Sequence, residues 1–156
     1  MLFRSGIEVE RWASPELEPL PEFEDGAITI LYVGRAEKRK GLPYLLRAFS
    51  ILHARAPGTR LVVVGPRSKR LERYRESMEG HRGVVFVEGV SDAELPRYHR
   101  SADIFCSPAT GNESQGYVLL EAMAAGLPVV VTNIEGYASV VTHEVEGLLE
   151  IGRAHV

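Results

Sequence analysis

Residues 28–65 read ITILYVGRAEKRKGLPYLLRAFSILHARAPGTRLVVVG, and this stretch decides the fold. Its first six residues, Ile28–Val33, form an apolar, β-branched run that a glycine ends, as expected of a buried strand. Leucines and a phenylalanine then recur at helical spacing, which predicts an amphipathic helix over 42–55 that a Pro-Gly pair ends. Leu61–Val64 is a second buried strand. A strand, a helix and a strand in this order predict a βαβ unit with parallel strands.

The same alternation continues toward the carboxyl end. Further strands are predicted at 84–87, at 103–107, at 128–132 and from 147 onward, and further helices at 67–80, 116–125 and 136–142. Ser91 followed by Glu94 is a capping-box signal for one more helix that reaches about Ala102. Residues 6–26 are rich in Pro and Glu without a clear period, and we expect a linker or loop there. The predicted fold class is α/β, a Rossmann-like parallel sheet with helices on both faces.

The composition is that of one folded domain. The 156 residues are 45% hydrophobic and 25% charged, which excludes disordered and fibrous classes. The formal net charge of −3 argues against a nucleic-acid partner, which requires a basic face. A single cysteine, Cys106, excludes an internal disulfide and a Cys-based zinc site. No apolar run reaches the roughly 18–20 residues of a membrane span, and the amino terminus lacks the apolar segment of a signal peptide.

The first candidate site is the loop after the first predicted strand. In open parallel sheets, ligands bind outside the carboxyl ends of the strands. The loop Gly34–Gly41 holds four cations directly before a helix N-terminus, whose free N–H groups favour anions. An Arg can fork onto a phosphate, and a Lys offers a compact charge. A solvated basic loop is the alternative on these residues alone, and the Walker pattern is absent.

The second candidate site follows the fourth predicted strand. Glu121 is the only charged residue in 117–131, and a carboxylate in so apolar a helix needs a partner or a ligand. Glu113 precedes it by eight residues, which span roughly 12 Å in a helix. That span matches a ribose, a diphosphate and a hexose in a row, with the N–H groups from Gly116 to Val118 facing the phosphates. A loop glutamate and a solvent-edge helix glutamate are the alternative.

The run Glu113–Val130 resembles retaining GT-B glycosyltransferases, most of all those of the phosphatidylinositol-mannosyltransferase type. The loop Gly34–Gly41 is similar to the diphosphate loop of that family. Residues 101–105 resemble the strand that leads into its glutamate motif, and residues 6–12 resemble the segment after its interdomain linker. The resemblance implies that 6–150 is the C-terminal, nucleotide-sugar donor-binding domain of a two-domain GT-B enzyme, truncated.

The resemblance also implies roles for single residues. Arg35 and Lys40 would bind the donor diphosphate and stabilise the leaving nucleotide, and Glu113 would contact the transferred sugar. Glu121 would accept hydrogen bonds from the ribose hydroxyls. The other expected binding residues contribute mainly backbone groups: Gly34, Gly116, Tyr117 and Val118 around the phosphates and sugar, and Gly89 and Val90 at the base. The family needs no metal ion and no cofactor, because the nucleoside-diphosphate sugar is a substrate.

The donor and the acceptor stay open. Gln115 stands where the family usually has an aromatic residue, which leaves the donor sugar undecided. A GT-B-fold nucleotide-sugar epimerase, a glycan phosphorylase and a non-catalytic nucleotide-sugar-binding module are alternatives, and a dinucleotide-binding domain would need a G-x-G-x-x-G motif that no strand precedes. An acceptor glycan or lipid would bind through an N-terminal domain outside this chain. We expect a cytoplasmic protein; peripheral association with the inner face of a membrane would be a property of the parent protein.

Both ends of the chain look foreign. Residues 2–5 and 151–156 read as translations of the two strands of a common short-read sequencing adaptor. Coincidence is the alternative, but two such matches at opposite ends argue against it. We expect 1–5 and 151–156 to be non-native and to lie outside any packed element.

Overall fold

The computed structural model describes residues 6–113 and 116–150. The strands are β1 (Ile28–Val33), β2 (Thr59–Gly65), β3 (Val84–Glu88), β4 (Ile104–Ser107), β5 (Val129–Thr132) and β6 (Gly147–Glu150). The helices are α1 (Val9–Ala13), α2 (Leu42–Arg55), α3 (Lys69–Ser77), α4 (Leu95–Ser101), α5 (Tyr117–Ala124) and α6 (Glu135–Ala138), with short 3-10 turns at Pro21–Phe23 and Lys38–Lys40. The strands form one parallel sheet in the order β3-β2-β1-β4-β5-β6. The predicted fold class is confirmed.

The central strand β1 divides the core into two layers. It pairs with β2, where Ile30 lies opposite Leu61, and with β4 on its other side. Successive side chains of a strand point to opposite faces. Ile30 and Tyr32 therefore pack under α2 and α3, whereas Leu31 packs toward α4, α5 and α6. Because both faces are covered, the strands read as continuous apolar runs in the sequence.

The segment 6–26 is not a plain linker, and this prediction was wrong. It contains α1, whose Trp12 is only 4% exposed. The indole ring meets the His99 ring edge-on, 4.7 Å away, and His99 stacks on Phe105 of β4. Burial lowers the pKa of His99 to about 4, so this aromatic stack is uncharged at neutral pH. A five-residue helix anchored by one side chain is too short to show a period in the sequence.

The helix expected from Ser91 begins later than predicted. The capping box forms, because the Glu94 carboxylate accepts the Ser91 N–H at 3.2 Å and Ser91 Oγ accepts the Glu94 N–H at 3.3 Å. These bonds stabilise a turn, and α4 itself starts at Leu95. The reason is Pro96, which has no N–H and fits a helix only in its first turn. The helices predicted over 67–80 and 136–142 are likewise shorter, as α3 and α6.

The ends 1–5 and 151–156, expected to be adaptor-derived, lie outside the described residues. None of the helices within 6–113 and 116–150 combines the length and the apolar character that crossing a bilayer requires.

Gly41 provides a test of how the loops pack. Its φ is +72°, and a Cβ atom there would overlap the carbonyl oxygen of Pro108. Gly41→Ala should therefore lower the free energy of unfolding by at least about 1–3 kcal/mol. Gly58→Ala is the matched control, since its Cβ would meet nothing within 4 Å. Urea midpoints measure both, and equal midpoints for the two variants would contradict the contact.

Candidate functional site

One cavity of about 690 Å³ opens at the carboxyl edge of the sheet, between the β1–α2 loop and the β4–α5 segment. It brings together eight of the ten predicted site residues, Gly34, Arg35, Lys40, Glu113, Gly116, Tyr117, Val118 and Glu121. Tyr32, Val33, Arg39 and Ser107 complete its lining. Across 6–113 and 116–150, no three His, Cys, Asp or Glu side chains group as they would around a metal ion.

The two residues predicted at the base do not line this cavity in the described part of the chain. Gly89 and Val90 follow β3, the strand at one edge of the sheet. Gly89 has a φ of +70° and is exposed, and Val90 packs against the α4–α6 core layer. They share the carboxyl edge with the cavity but lie beyond its walls.

Glu113 is held by two cations through the same oxygen. Lys40 Nζ lies 2.5 Å from Glu113 Oε1, and Arg39 Nη1 lies 2.8 Å from it. The Glu113 side chain is 11% exposed and that of Lys40 is 19% exposed. A carboxylate so far from water needs charged hydrogen-bond donors, and these two supply them. The cluster therefore places an oriented carboxylate in the lining of the cavity.

Arg39 is the site residue that sequence reasoning missed. The four cations of the loop were visible, but their order in the sequence does not say which of them faces Glu113. Arg39 also donates to Glu37 Oε2 at 2.9 Å and to the Asn112 carbonyl at 3.1 Å. Its own carbonyl accepts the Thr110 N–H at 2.8 Å. Arg39 thus joins the β1–α2 loop to the β4–α5 segment through both side chain and backbone.

The backbone of Glu113 rests on α6. A Cβ atom on Gly136 would overlap the Glu113 carbonyl oxygen, so this approach requires glycine. The next residue, Tyr137, is fully buried and shares a 2.6 Å hydrogen bond with Ser107 Oγ at the end of β4. These contacts fix the backbone position of Glu113, whereas the cations fix the direction of its side chain.

Arg35 lies at the mouth of the cavity and is not part of the Glu113 cluster. Its side chain is 74% exposed and contacts Glu37 at 3.5 Å. Its carbonyl accepts a hydrogen bond from the buried Tyr32 hydroxyl at 3.0 Å, which fixes the loop backbone. The guanidinium group can therefore move while its attachment point stays in place.

The start of α5 forms the floor of the cavity. Gly116, with a φ of +55°, precedes the helix, and no side chain among the described residues caps it. The first N–H groups of a helix have no intrahelical partner and carry a partial positive charge. Tyr117 and Val118 supply such groups to the cavity, which makes its floor suited to a phosphate.

Glu121 lies one turn further along α5 and lines the same cavity. Burial raises the pKa of its carboxyl group above the ordinary value, Arg11 acts in the opposite direction, and Asp92 adds to the rise. Arg11 belongs to α1, where it covers the Trp12 ring and donates to the Asp92 carbonyl. The positive charge that acts on Glu121 thus comes from a helix that the sequence did not reveal.

The family comparison agrees with this geometry. Residues 15–153 match the family model described as Glycosyl transferases group 1. The chain belongs to this family. The resemblance found in the sequence is confirmed.

Two curated relatives have the same name. The phosphatidyl-myo-inositol mannosyltransferase of Mycolicibacterium smegmatis is 37% identical over 139 residues, which are 87% of this chain and 35% of that protein. The enzyme of that name from Propionibacterium freudenreichii is 40% identical over 121 residues, 77% of this chain and 29% of the relative. The chain therefore spans about a third of the length of the curated relatives it matches.

Two solved structures show the fold at lower sequence identity. Anabaena HepE, in complex with UDP and glucose, superposes with a TM-score of 0.77 at 20% identity, over 93% of this chain and 41% of that one. The C-terminal domain of LpcC, a glycosyl transferase group 1 protein from Francisella tularensis, has the same TM-score and identity over 93% of this chain and 80% of that one. The chain thus has the fold of the C-terminal half of a GT-B glycosyltransferase.

Arg11 should control the ionisation of Glu121. Arg11→Ala removes the positive charge that opposes the burial effect, so the pKa of Glu121 should rise further. Carboxyl ¹³C NMR titration measures it, with Glu121→Gln to assign the signal. Arg82→Ala, an exposed cation before β3, is the control and should leave the pKa unchanged. An unchanged Glu121 titration in Arg11→Ala would refute the coupling.

Proposed function

We propose that residues 6–150 are the donor-binding domain of a retaining glycosyltransferase, which transfers a hexose from a nucleoside-diphosphate sugar to an acceptor hydroxyl. One observation carries the proposal. A single cavity is lined by two carboxylates, Glu113 and Glu121, by the cations Arg35 and Lys40, and by the start of α5, which no described side chain caps.

The ribose, the diphosphate and the sugar of the donor each have a matching group in the cavity. Glu121 accepts hydrogen bonds from the ribose hydroxyls, and the N–H groups of Tyr117 and Val118 meet the diphosphate. Glu113 accepts hydrogen bonds from hydroxyls of the sugar. The base extends toward the loop of Gly89 and Val90, which shares this edge of the sheet. Carboxylates suit hydroxyl groups and helix N-termini suit phosphates, so the order of groups fits a nucleotide sugar.

The cation cluster explains how the site changes on binding. In the free chain, Lys40 and Arg39 share one oxygen of Glu113. The arriving diphosphate competes for Lys40, whereas Arg39 still donates to Glu113 and keeps its carboxylate oriented. As the bond from the sugar to the diphosphate breaks, negative charge grows on the leaving phosphate. Arg35, Lys40 and the α5 N-terminus stabilise that charge, which lowers the barrier to transfer.

The acceptor belongs to the part of the enzyme outside this chain. The curated relatives are named for mannosyl transfer to phosphatidyl-myo-inositol, and a membrane lipid or a glycan is the acceptor that we propose here. Gln115, on which the choice of donor sugar depends, lies outside the described residues. No metal is required in this scheme, because the cations and the helix start neutralise the diphosphate.

The chain itself tests nucleotide binding. Calorimetry with UDP, GDP and ADP should show weak binding of at least one nucleotide, and EDTA should not change the affinity. The combined Arg35→Ala and Lys40→Ala variant should bind more weakly, because it loses two charges that face the diphosphate. No heat with any nucleotide in a cooperatively folded chain would overturn the cavity assignment.

Transfer itself is tested in the complete enzyme that contains this domain. Glu113→Gln should lower turnover more than nucleotide affinity, because it acts on the reacting sugar. Glu121→Gln should weaken nucleotide binding, because the ribose is remote from the reacting bond. Steady-state transfer rates and nucleotide affinities separate the two roles. Wild-type turnover of Glu113→Gln together with weaker binding would leave Glu113 as a binding residue only.

A further inference from the structure

A positively charged surface lies on the α2 and α3 side of the sheet, beside the donor cavity. Arg35, Lys69, Arg70 and Arg73 line a groove of about 410 Å³ there, and we call these four residues the basic patch. The only carboxylate in the groove's lining is Glu37, which Arg39 already binds at 2.9 Å. The whole chain carries a net charge of −3, so this positive charge is a local feature.

Three of the four cations have no ion-pair partner in the described structure. Within 6–113 and 116–150, no carboxylate lies within 4.0 Å of a charged nitrogen of Lys69, Arg70 or Arg73. Arg75 binds Glu72 at 3.0 Å and Glu88 at 3.2 Å, and Glu76, one turn after Arg73, forms no ion pair with it in the described structure. The charges of Lys69, Arg70 and Arg73 are therefore not neutralised by ion pairs among the described residues.

This arrangement is unfavourable for the helix that carries it. Lys69 and Arg70 begin α3, where the helix dipole repels cations. Arg73 lies four residues after Lys69 and thus on the same side of the helix, where like charges repel. Ser68 Oγ already caps the helix by accepting the Leu71 N–H at 3.1 Å. Helix stability therefore does not account for the cations, whereas an external anion would.

Apolar side chains on the same side of the sheet narrow the choice of partner. α2 shares a core layer with α3, and its outer side exposes Tyr44 to 64% and Ile51 to 54%. These two residues are seven apart and so lie on one side of the helix. A free phosphate ester would not contact them. A bilayer surface would, because tyrosine rings and aliphatic side chains settle at the headgroup level while cations meet the phosphates.

We propose that the basic patch binds the phosphate groups of anionic lipids, with the α2 and α3 face of the domain against a membrane surface. Arg35 is the one patch residue that also lines the donor cavity in the described structure. Lipid binding by Lys69, Arg70 and Arg73 is therefore independent of the proposed donor site.

The test is flotation of the chain with phosphatidylcholine vesicles, with and without phosphatidylglycerol. Binding should require phosphatidylglycerol and weaken as salt is added. Each cation near an anionic surface contributes about 1 kcal/mol, or about fivefold in affinity. Arg70→Gln with Arg73→Gln should therefore weaken binding by about 25-fold. Arg55→Gln with Arg82→Gln is the matched control, because both residues are exposed, lie at the amino edge of the sheet and remove the same charge.

Several outcomes would overturn the proposal. One is an equal loss of vesicle binding in the two double variants. Another is equal binding of the wild-type chain to vesicles with and without phosphatidylglycerol. The third is no vesicle binding by a wild-type chain that unfolds cooperatively. Calorimetry with glycerol phosphate distinguishes the sources of phosphate, and binding of that ester without vesicle binding would also overturn the lipid assignment. UDP, GDP and ADP affinities of Arg70→Gln with Arg73→Gln should equal those of the wild type. Vesicle binding without any nucleotide binding would refute the donor site and leave the basic patch standing.

Discussion

The meeting of two loops at the carboxyl edge of the sheet is the contact on which the site depends. The loop after β1 brings the cations, and the segment after β4 brings Glu113. They touch where Gly41 lies against Pro108 and where the Arg39 carbonyl accepts the Thr110 N–H at 2.8 Å. Parallel strands place these loops side by side without any special sequence. The glycine then allows an approach close enough for Lys40 and Arg39 to reach the same carboxylate oxygen.

Periodicity and residue type were sufficient to predict the sheet. The strands around β1 are buried on both faces, and a buried parallel strand has to be apolar along its whole length. These predictions succeed because strand and helix patterns are local. The start of α4 was predicted too early, because the effect of Pro96 depends on where the capping turn ends.

The site was only partly predictable, for a physical reason. Glu121 was recognised because a charge in an apolar helix is visible in the sequence, and Glu113 because of its spacing and family resemblance. Arg11 and Arg39 were not, since both act across distances of many residues along the chain. The position of Arg11 depends on Trp12, because this one buried indole holds the five-residue helix α1 against the domain. Such a short helix leaves no repeating pattern in the sequence.

The ion pair between Lys40 and Glu113 also bears on how an enzyme with this site would release its product. When a nucleoside diphosphate leaves a pocket of bare cations, counterions from solution have to replace it. Here the protein supplies the replacement, because the Glu113 carboxylate lies 2.5 Å from the Lys40 ammonium group and can pair with it again. The departing nucleotide then leaves the Lys40 ammonium group paired with Glu113. The carboxylate that we propose to hold the sugar would thereby also be an internal counterion for Lys40.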